Sequence, residues 1–188
     1  LASAGFNVLI LDRKPFPRVK PCAGGVTPKA LALYPYDISG LVSRKFRALT
    51  IAHGQGAAFD MVSGDPLCAM TSRPDLDLFA LEKAMAAGAR FRVETQIRSL
   101  EQTHDHVRLQ TGSGPIKTRF LIGADGAHSR VRRFITKKKF YHQALAMEAR
   151  VWVRRPDRYA MEFDFSGRKK GYAWIFPKKD HISAGILA

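Results

Sequence analysis

Two rhythms of apolar and polar positions run through this chain. In the first, short apolar runs alternate with helical patterns; in the second, strand follows strand. Residues 6–11 form an almost continuous apolar run, as a buried parallel strand requires, and end in Asp12. Gly5 just before them predicts the stop of a short helix over 1–5. Residues 13–26 turn to Pro, Gly and Lys, the composition of a long functional loop. Thr27 and Pro28 then predict the N-cap and first residue of a helix reaching about residue 34. Strands are expected over 46–51, 57–62 and 67–71, separated by Gly-rich turns. Ser72, with Asp75 in the capping-box position, opens a helix in which Leu78, Leu81 and Met85 recur at helical spacing until Gly88. Strands over 91–93, 97–100 and 107–109 follow, the last two joined as a hairpin across 103–106, and then a strand over 116–122. Past a basic stretch come strands alone, over 144–153, 159–165, 172–176 and 182–187.

That order predicts an α/β nucleotide-binding domain over 1–140, with a small inserted β region near 46–71. It feeds into the start of a β-rich domain over 141–188. There is no internal repeat. No apolar run approaches the length of a membrane helix, and the start lacks the layout of a secretory signal. Two cysteines, Cys22 and Cys68, form no ligand-spaced pair. This points to a reduced, cytoplasmic protein and away from a zinc site.

Charge changes the picture more. A formal net charge of +15 in 188 residues needs a reason. Most of the Lys and Arg solvate the exterior; the remainder are available for phosphate-bearing cofactors, anionic lipid surfaces or nucleic acid. The densest cluster comprises Arg130, Arg132, Arg133, Lys137, Lys138 and Lys139, with Arg150, Arg154, Arg155 and Arg158 beyond it. No helix-turn-helix, zinc-finger or RNA-binding aromatic motif accompanies it, so nucleic acid is the disfavoured partner.

The richest chemistry lies in residues 120–133, Phe-Leu-Ile-Gly-Ala-Asp-Gly-Ala-His-Ser-Arg-Val-Arg-Arg. An apolar run stops at Gly123, Asp125 sits between small residues, and a basic helical pattern follows. Asp125 can accept hydrogen bonds from ligand hydroxyls, and the next helix start offers N–H groups to an anion. A ligand with sugar-like hydroxyls and phosphates, a dinucleotide, would suit such a corner. Asp12 is placed like the acid that binds an adenosine ribose at the end of the second strand of a dinucleotide fold. The Gly-rich phosphate turn belongs about 20 residues before that acid, yet only eleven residues precede Asp12. The expectation is therefore an incomplete domain whose first strand and Gly-rich loop lie upstream, with a truncated strand at Ala188.

Asp12, the loop and the Asp125 corner together resemble FAD proteins of the glutathione-reductase type in the aromatic hydroxylase superfamily. Within it the chain is similar to the geranylgeranyl reductase family. The residues that carry this are 15–30, Pro-Phe-Pro-Arg-Val-Lys-Pro-Cys-Ala-Gly-Gly-Val-Thr-Pro-Lys-Ala, and 171–177, Gly-Tyr-Ala-Trp-Ile-Phe-Pro. The resemblance implies a Rossmann-like FAD-binding domain and a β-rich isoprenoid-binding one. It implies that Asp12 holds the adenosine ribose, that Cys22, Ala23 and Gly25 lie along the flavin, and that Arg73 reaches FAD. It further places Ile97 on the adenine side and Asp125 in the FAD motif, with a second role toward NADPH. Tyr172, Trp174 and Phe176 would line an isoprenoid tunnel. The extended motif continues to Gly185, but a further expected glycine is Leu187 here.

Each assignment has a plainer counterpart. Asp12 could simply end a strand, Cys22 could be an inert thiol, Arg73 a surface ion-pair partner and Ile97 a core residue. Tyr172, Trp174 and Phe176 share one strand face by parity, which also suits an aromatic core stripe. His128 reads as a solvent-facing residue. The resemblance implies reduction of carbon–carbon double bonds in a prenyl lipid, with NADPH or ferredoxin as electron donor and Cys22 as the catalytic candidate. The basic excess suits peripheral contact with an anionic membrane. The rivals are a flavin-dependent monooxygenase on the same scaffold and a non-catalytic basic binding module.

Overall fold

The computed structural model describes residues 1–54, 57–93, 95–136, 144–166 and 171–188; Lys137, Lys138 and Lys139 of the basic cluster lie outside the described residues. The chain is mixed α/β and mostly sheet. In chain order the strands are β1 (Leu9–Leu11), β2 (Gly25–Val26), β3 (Arg44–Phe46), β4 (Ala48–His53), β5 (Ala57–Val62), β6 (Cys68–Met70) and β7 (Arg90–Arg92). They continue with β8 (Ile97–Gln102), β9 (Val107–Thr111), β10 (Gly114–Thr118), β11 (Ala146–Trp152), β12 (Glu162–Asp164), β13 (Tyr172–Pro177) and β14 (His181–Leu187). The helices are α1 (Pro28–Leu31), α2 (Arg73–Ala86) and α3 (Arg130–Ile135).

Two compact units emerge, neither contiguous in sequence: Leu1–Phe16 with Leu81–Gln143, and Pro17–Ala80 with Ala144–Ala188. In the first unit β1 pairs in parallel with β7, Leu9 opposite Arg90. Parallel neighbours need a long crossover, and the chain between them supplies it. The antiparallel sheet β10-β9-β8 belongs to the same unit. Its β8–β9 hairpin closes where the Thr103 N–H donates to the His106 carbonyl at 2.9 Å.

The second unit holds a six-stranded sheet in the order β11-β14-β13-β12-β4-β5 and a three-stranded sheet β2-β6-β3. Among the described residues, only β12 and β4 run parallel in the larger sheet; its other pairs are antiparallel. Strands from the inserted region and from the C-terminal stretch thus share one ladder. Phe46, Leu49, Cys68, Met70, Met161, Trp174 and Phe176 form its buried core. A smaller cluster of Val26, Ile38 and Leu76 seats α1 and the start of α2. Thr27 caps α1 as expected, its hydroxyl accepting from the Ala30 N–H at 3.3 Å.

Several elements differ from their sequence reading, for identifiable reasons. The strand expected over 116–122 is instead β10, which ends at Thr118 because its partner β9 runs out at Val107. Residues 119–126 then have no strand, so Asp125 is seven residues past a strand end rather than at one. The first strand shrinks to Leu9–Leu11, leaving Phe6 52% exposed. In α2 the inward positions are Leu76 and Leu81, whereas Met85 faces out at 41% exposure. Within the long loop a short strand, β2, forms by pairing with β6.

Candidate functional site

The loop Pro21-Cys22-Ala23-Gly24-Gly25 sits in the second unit, and its geometry is set by what its carbonyls find. The Gly24 carbonyl accepts from the Thr71 N–H at 2.8 Å and from the Thr71 hydroxyl at 2.9 Å. The Ala23 carbonyl accepts from the Lys178 ammonium. Gly24 adopts φ +68, and a Cβ built there would lie 2.3 Å from the Thr71 carbonyl oxygen. Only glycine meets both conditions. Gly24 and Val26 are buried while Cys22 and Gly25 are exposed, so one side of the loop packs and the other is presented. At Gly25 the missing Cβ faces inward, where it would lie 2.9 Å from Cys68 Sγ, so what that residue exposes is main chain.

Lys178 was not among the residues singled out in the sequence, and it is the centre of this cluster. It is 8% exposed. Besides the Ala23 carbonyl, its Nζ donates to the Thr71 carbonyl at 3.0 Å and contacts Met70 Sδ at 3.4 Å. Burial pushes its pKa down to about 8, against the opposing pull of Cys22, Cys68 and Glu148. A sequence signal for it exists: Lys178 has the parity of Tyr172, Trp174 and Phe176, so the period of two carries it onto the aromatic face.

Glu148 is the second residue missed. The Trp174 indole N–H donates to Ser183 Oγ at 3.3 Å, and the Ser183 hydroxyl donates to Glu148 Oε1 at 2.8 Å. The other carboxylate oxygen of Glu148 accepts from the Cys22 main-chain N–H at 2.5 Å. One carboxylate therefore joins β11, β13 and β14 to the Cys22 loop. The Cys22 sulfur accepts from the Gly24 N–H at 3.4 Å.

Arg73, the first residue of α2, is half-buried and bidentate to Asp77, at 2.8 and 2.9 Å. Asp77 also pairs with Arg18 at 3.2 Å. The hydrogen bonds to Asp77 raise the pKa of Arg73 most, and the nearby Cys22 thiol acts in the same direction. Ion pairing and proximity to Cys22 thus coexist in one side chain.

Tyr172, Trp174 and Phe176 do share one face, with successive ring centroids 6.0 and 6.4 Å apart. Phe163 meets Phe176 edge-on at 5.0 Å and Tyr172 at 5.6 Å. Trp174 and Phe176 are buried core residues; Tyr172 is half-exposed and contacts the exposed Phe165 at 5.5 Å. Gly185 lies opposite Trp174 in the register. A Cβ there would stand 2.1 Å from the indole ring.

The first unit holds Asp12, Ile97 and Asp125. Asp12 is half-buried at the end of β1, and its Oδ1 accepts from the Lys14 N–H at 3.0 Å. Ile97 opens β8, half-buried beside a β-bulge. Asp125 turns inward on its own chain: it accepts from the Ser129 hydroxyl, the Arg130 N–H at 2.7 Å and the Val131 N–H at 3.4 Å. Ser129 in turn caps the Arg132 N–H at 2.9 Å. The helix N–H groups expected to meet an anion are thereby occupied by side chains. Burial works to raise the Asp125 pKa, but the hydrogen bonds from Ser129, Arg130 and Val131 outweigh it and hold it low. His128 is exposed.

Among the described residues there is no cluster of three or more His, Cys, Asp or Glu side chains able to hold a metal, and no helix is long and apolar enough to cross a membrane.

Comparison with known proteins gives a consistent result. The chain is 32% identical over 188 residues to an uncharacterized protein of Methanosarcina barkeri, covering 98% of this chain and 48% of that protein. It is 28% identical to a geranylgeranyl diphosphate reductase of Rhodobacter capsulatus, over 99% of this chain and 49% of the relative. The chain thus spans about half the length of these relatives. Among solved structures, a geranylgeranyl bacteriochlorophyll reductase-like protein from Thermoplasma acidophilum superposes with a TM-score of 0.82 at 18% identity, over 100% of this chain and 51% of the other. A family model described as an FAD binding domain matches residues 1–157, and the chain belongs to that family.

Proposed function

We propose that the protein carrying this chain is an FAD-dependent reductase of carbon–carbon double bonds in a prenyl lipid. The observation that carries the reading is the Cys22 loop: its carbonyls are tied inward, while Cys22 and Gly25 are presented outward without bulky side chains. That surface fits the face of a flavin ring. The sequence relatives named as geranylgeranyl diphosphate reductases supply the substrate class.

In this reading Cys22, Ala23 and Gly25 lie along the flavin, and Arg73 reaches the cofactor. Asp12 holds ribose hydroxyls, Ile97 packs on the adenine side and Asp125 belongs to the same cofactor motif. Reduced FAD supplies a hydride when bound; the protein supplies orientation, water exclusion and a proton source. Cys22 carries an exposed thiol on that loop and is the proton donor in this reading. Tyr172, with Phe165 beside it, offers the accessible end of the aromatic face to an apolar chain; Trp174 and Phe176 back it from the core. NADPH or reduced ferredoxin delivers the electrons. The basic excess holds the protein peripherally at an anionic membrane, where prenyl lipids reside.

The test is anaerobic incubation of the intact protein with dithionite and geranylgeranyl diphosphate, read by mass spectrometry. Products gaining two hydrogens per reduced bond, and a flavin released on denaturation, are expected. In a parallel incubation in air with NADPH, insertion of an oxygen atom would replace the reductase by the monooxygenase; absence of any flavin would remove both.

A further inference from the structure

The flavin-side loop is shaped by a lysine that never reaches its presented face. Three tethers converge on residues 22–24 from distant points of the chain. Glu148 takes the Cys22 N–H, Thr71 takes the Gly24 carbonyl twice, and Lys178 takes the Ala23 carbonyl together with that of Thr71. Lys178 ties the loop to the strand end that clasps it, because its one ammonium bonds the Ala23 and Thr71 carbonyls together. A peptide plane is rigid, so fixing its carbonyl fixes the N–H on the opposite side. Holding the Ala23 carbonyl therefore sets the direction of the Gly24 N–H, which meets Cys22 Sγ at 3.4 Å. The line of influence runs from Lys178, through one peptide, to the thiol.

Burying an ammonium is costly unless its donors are matched. At 8% exposure this one has two carbonyls and a thioether sulfur around it. An apolar side chain after Pro177 would extend the aromatic stripe at no such cost. A buried charge in that position calls for a role beyond filling space. We propose that Lys178 is a positioning residue: it locks the Cys22–Gly25 loop in the conformation that orients Cys22 and the small residues toward the flavin. This rests on the flavin-reductase reading above.

Two measurements on the intact protein test it. Lys178→Met keeps the aliphatic stem and removes the donors. Hydrogen exchange is expected to show the Thr71 amide exchanging at least ~10-fold faster, the scale of a lost hydrogen bond to a charged group, while amides in the β13–β14 ladder keep their protection. With geranylgeranyl diphosphate as probe, kcat is expected to fall roughly 10–100-fold with KM within about threefold, since positioning acts on the reacting geometry. Equal acceleration of all amides in the second unit would overturn the proposal by showing a general stability role. So would an unchanged Thr71 amide or an unchanged kcat. Should Lys178→Met fail to fold, Lys178→Leu, which likewise lacks donors, is read by the same two criteria. A wild-type protein without flavin would refute the reductase reading, whereas the exchange result judges the lock itself.

Discussion

Replacing Gly24 by Ala tests the geometry of the loop directly. Two penalties apply, and a second glycine in the same unit separates them. Gly24 has φ +68, a region that costs a residue with a Cβ about 1–2 kcal/mol. Gly54 has φ +72 and nothing within 4 Å of a Cβ, so Gly54→Ala carries that penalty alone. At Gly24 the added carbon also falls 2.3 Å from the Thr71 carbonyl oxygen. That oxygen cannot swing away, since it is main chain and accepts from Lys178 at 3.0 Å. Relief requires the loop to lift off Thr71, breaking the bonds from the Thr71 N–H and hydroxyl to the Gly24 carbonyl. At about 1 kcal/mol each, these bring the total for Gly24→Ala to roughly 3–4 kcal/mol, against about 1–2 for Gly54→Ala. The gain from a stiffer unfolded chain is common to both and cancels in the comparison. Urea titrations of wild type and the two variants, analysed with a shared m-value, measure the difference. FAD titration of the same proteins should show weakened binding for Gly24→Ala alone. Equal destabilisation by the two substitutions would refute the reasoning, because it would mean that the loop does not press on Thr71.

Other substitutions probe the remaining parts of the cluster. Gly185→Ala should destabilise by at least ~2 kcal/mol in thermal unfolding, as overpacking commonly does, since the new methyl meets both the Trp174 ring and, at 2.5 Å, the Met147 carbonyl. Lys178 gives a pH signature: its folded pKa is depressed to about 8 from 10.5, so its burial penalty is fully present below pH 8 and is relieved as pH rises toward 10.5. Relative to Lys178→Met, wild-type stability should therefore climb by on the order of 3 kcal/mol across that window, and a flat difference would contradict the burial. Cys22, Cys68, Glu148 and Arg150 face this amine and act on its titration, so the comparison is made between variants rather than on wild type alone. Asp125→Ala should cost ~1 kcal/mol at pH 7, the worth of a helix cap. Because its folded pKa is lowered, that difference should be present above pH 4 and vanish as the carboxylate is protonated below it, which pH-dependent urea midpoints would show.

What could be read from the sequence follows the range of the interactions. The β8–β9 hairpin, the Thr27 cap and the aromatic face of β13 depend on neighbours a few residues away, and alternation or capping chemistry announces them. The extent of β10 depends on where β9 gives out, which no residue between 116 and 122 reveals. The Asp125 corner shows both cases at once. Its residues pointed to a helix start with N–H groups open to an anion, yet a carboxylate able to bind a ligand hydroxyl can equally bind the helix N–H groups five and six residues on, and here it does. Local chemistry was legible; its target was not. Lys178 marks the far limit. Between Pro177 and Lys179 it has the look of turn charge, and its real partners lie 155 and 107 residues away. Parity along β13 was nonetheless there to be used, and it separates Lys178 from its neighbour. Lys179, one residue on, has the opposite parity and is exposed. Lys178 continues the buried aromatic stripe one residue past the end of β13, so the fold has to supply carbonyls to meet its charge. In this chain the Cys22 loop and Thr71 supply them, and the residues that look most like a cofactor surface owe their shape to a cation behind it.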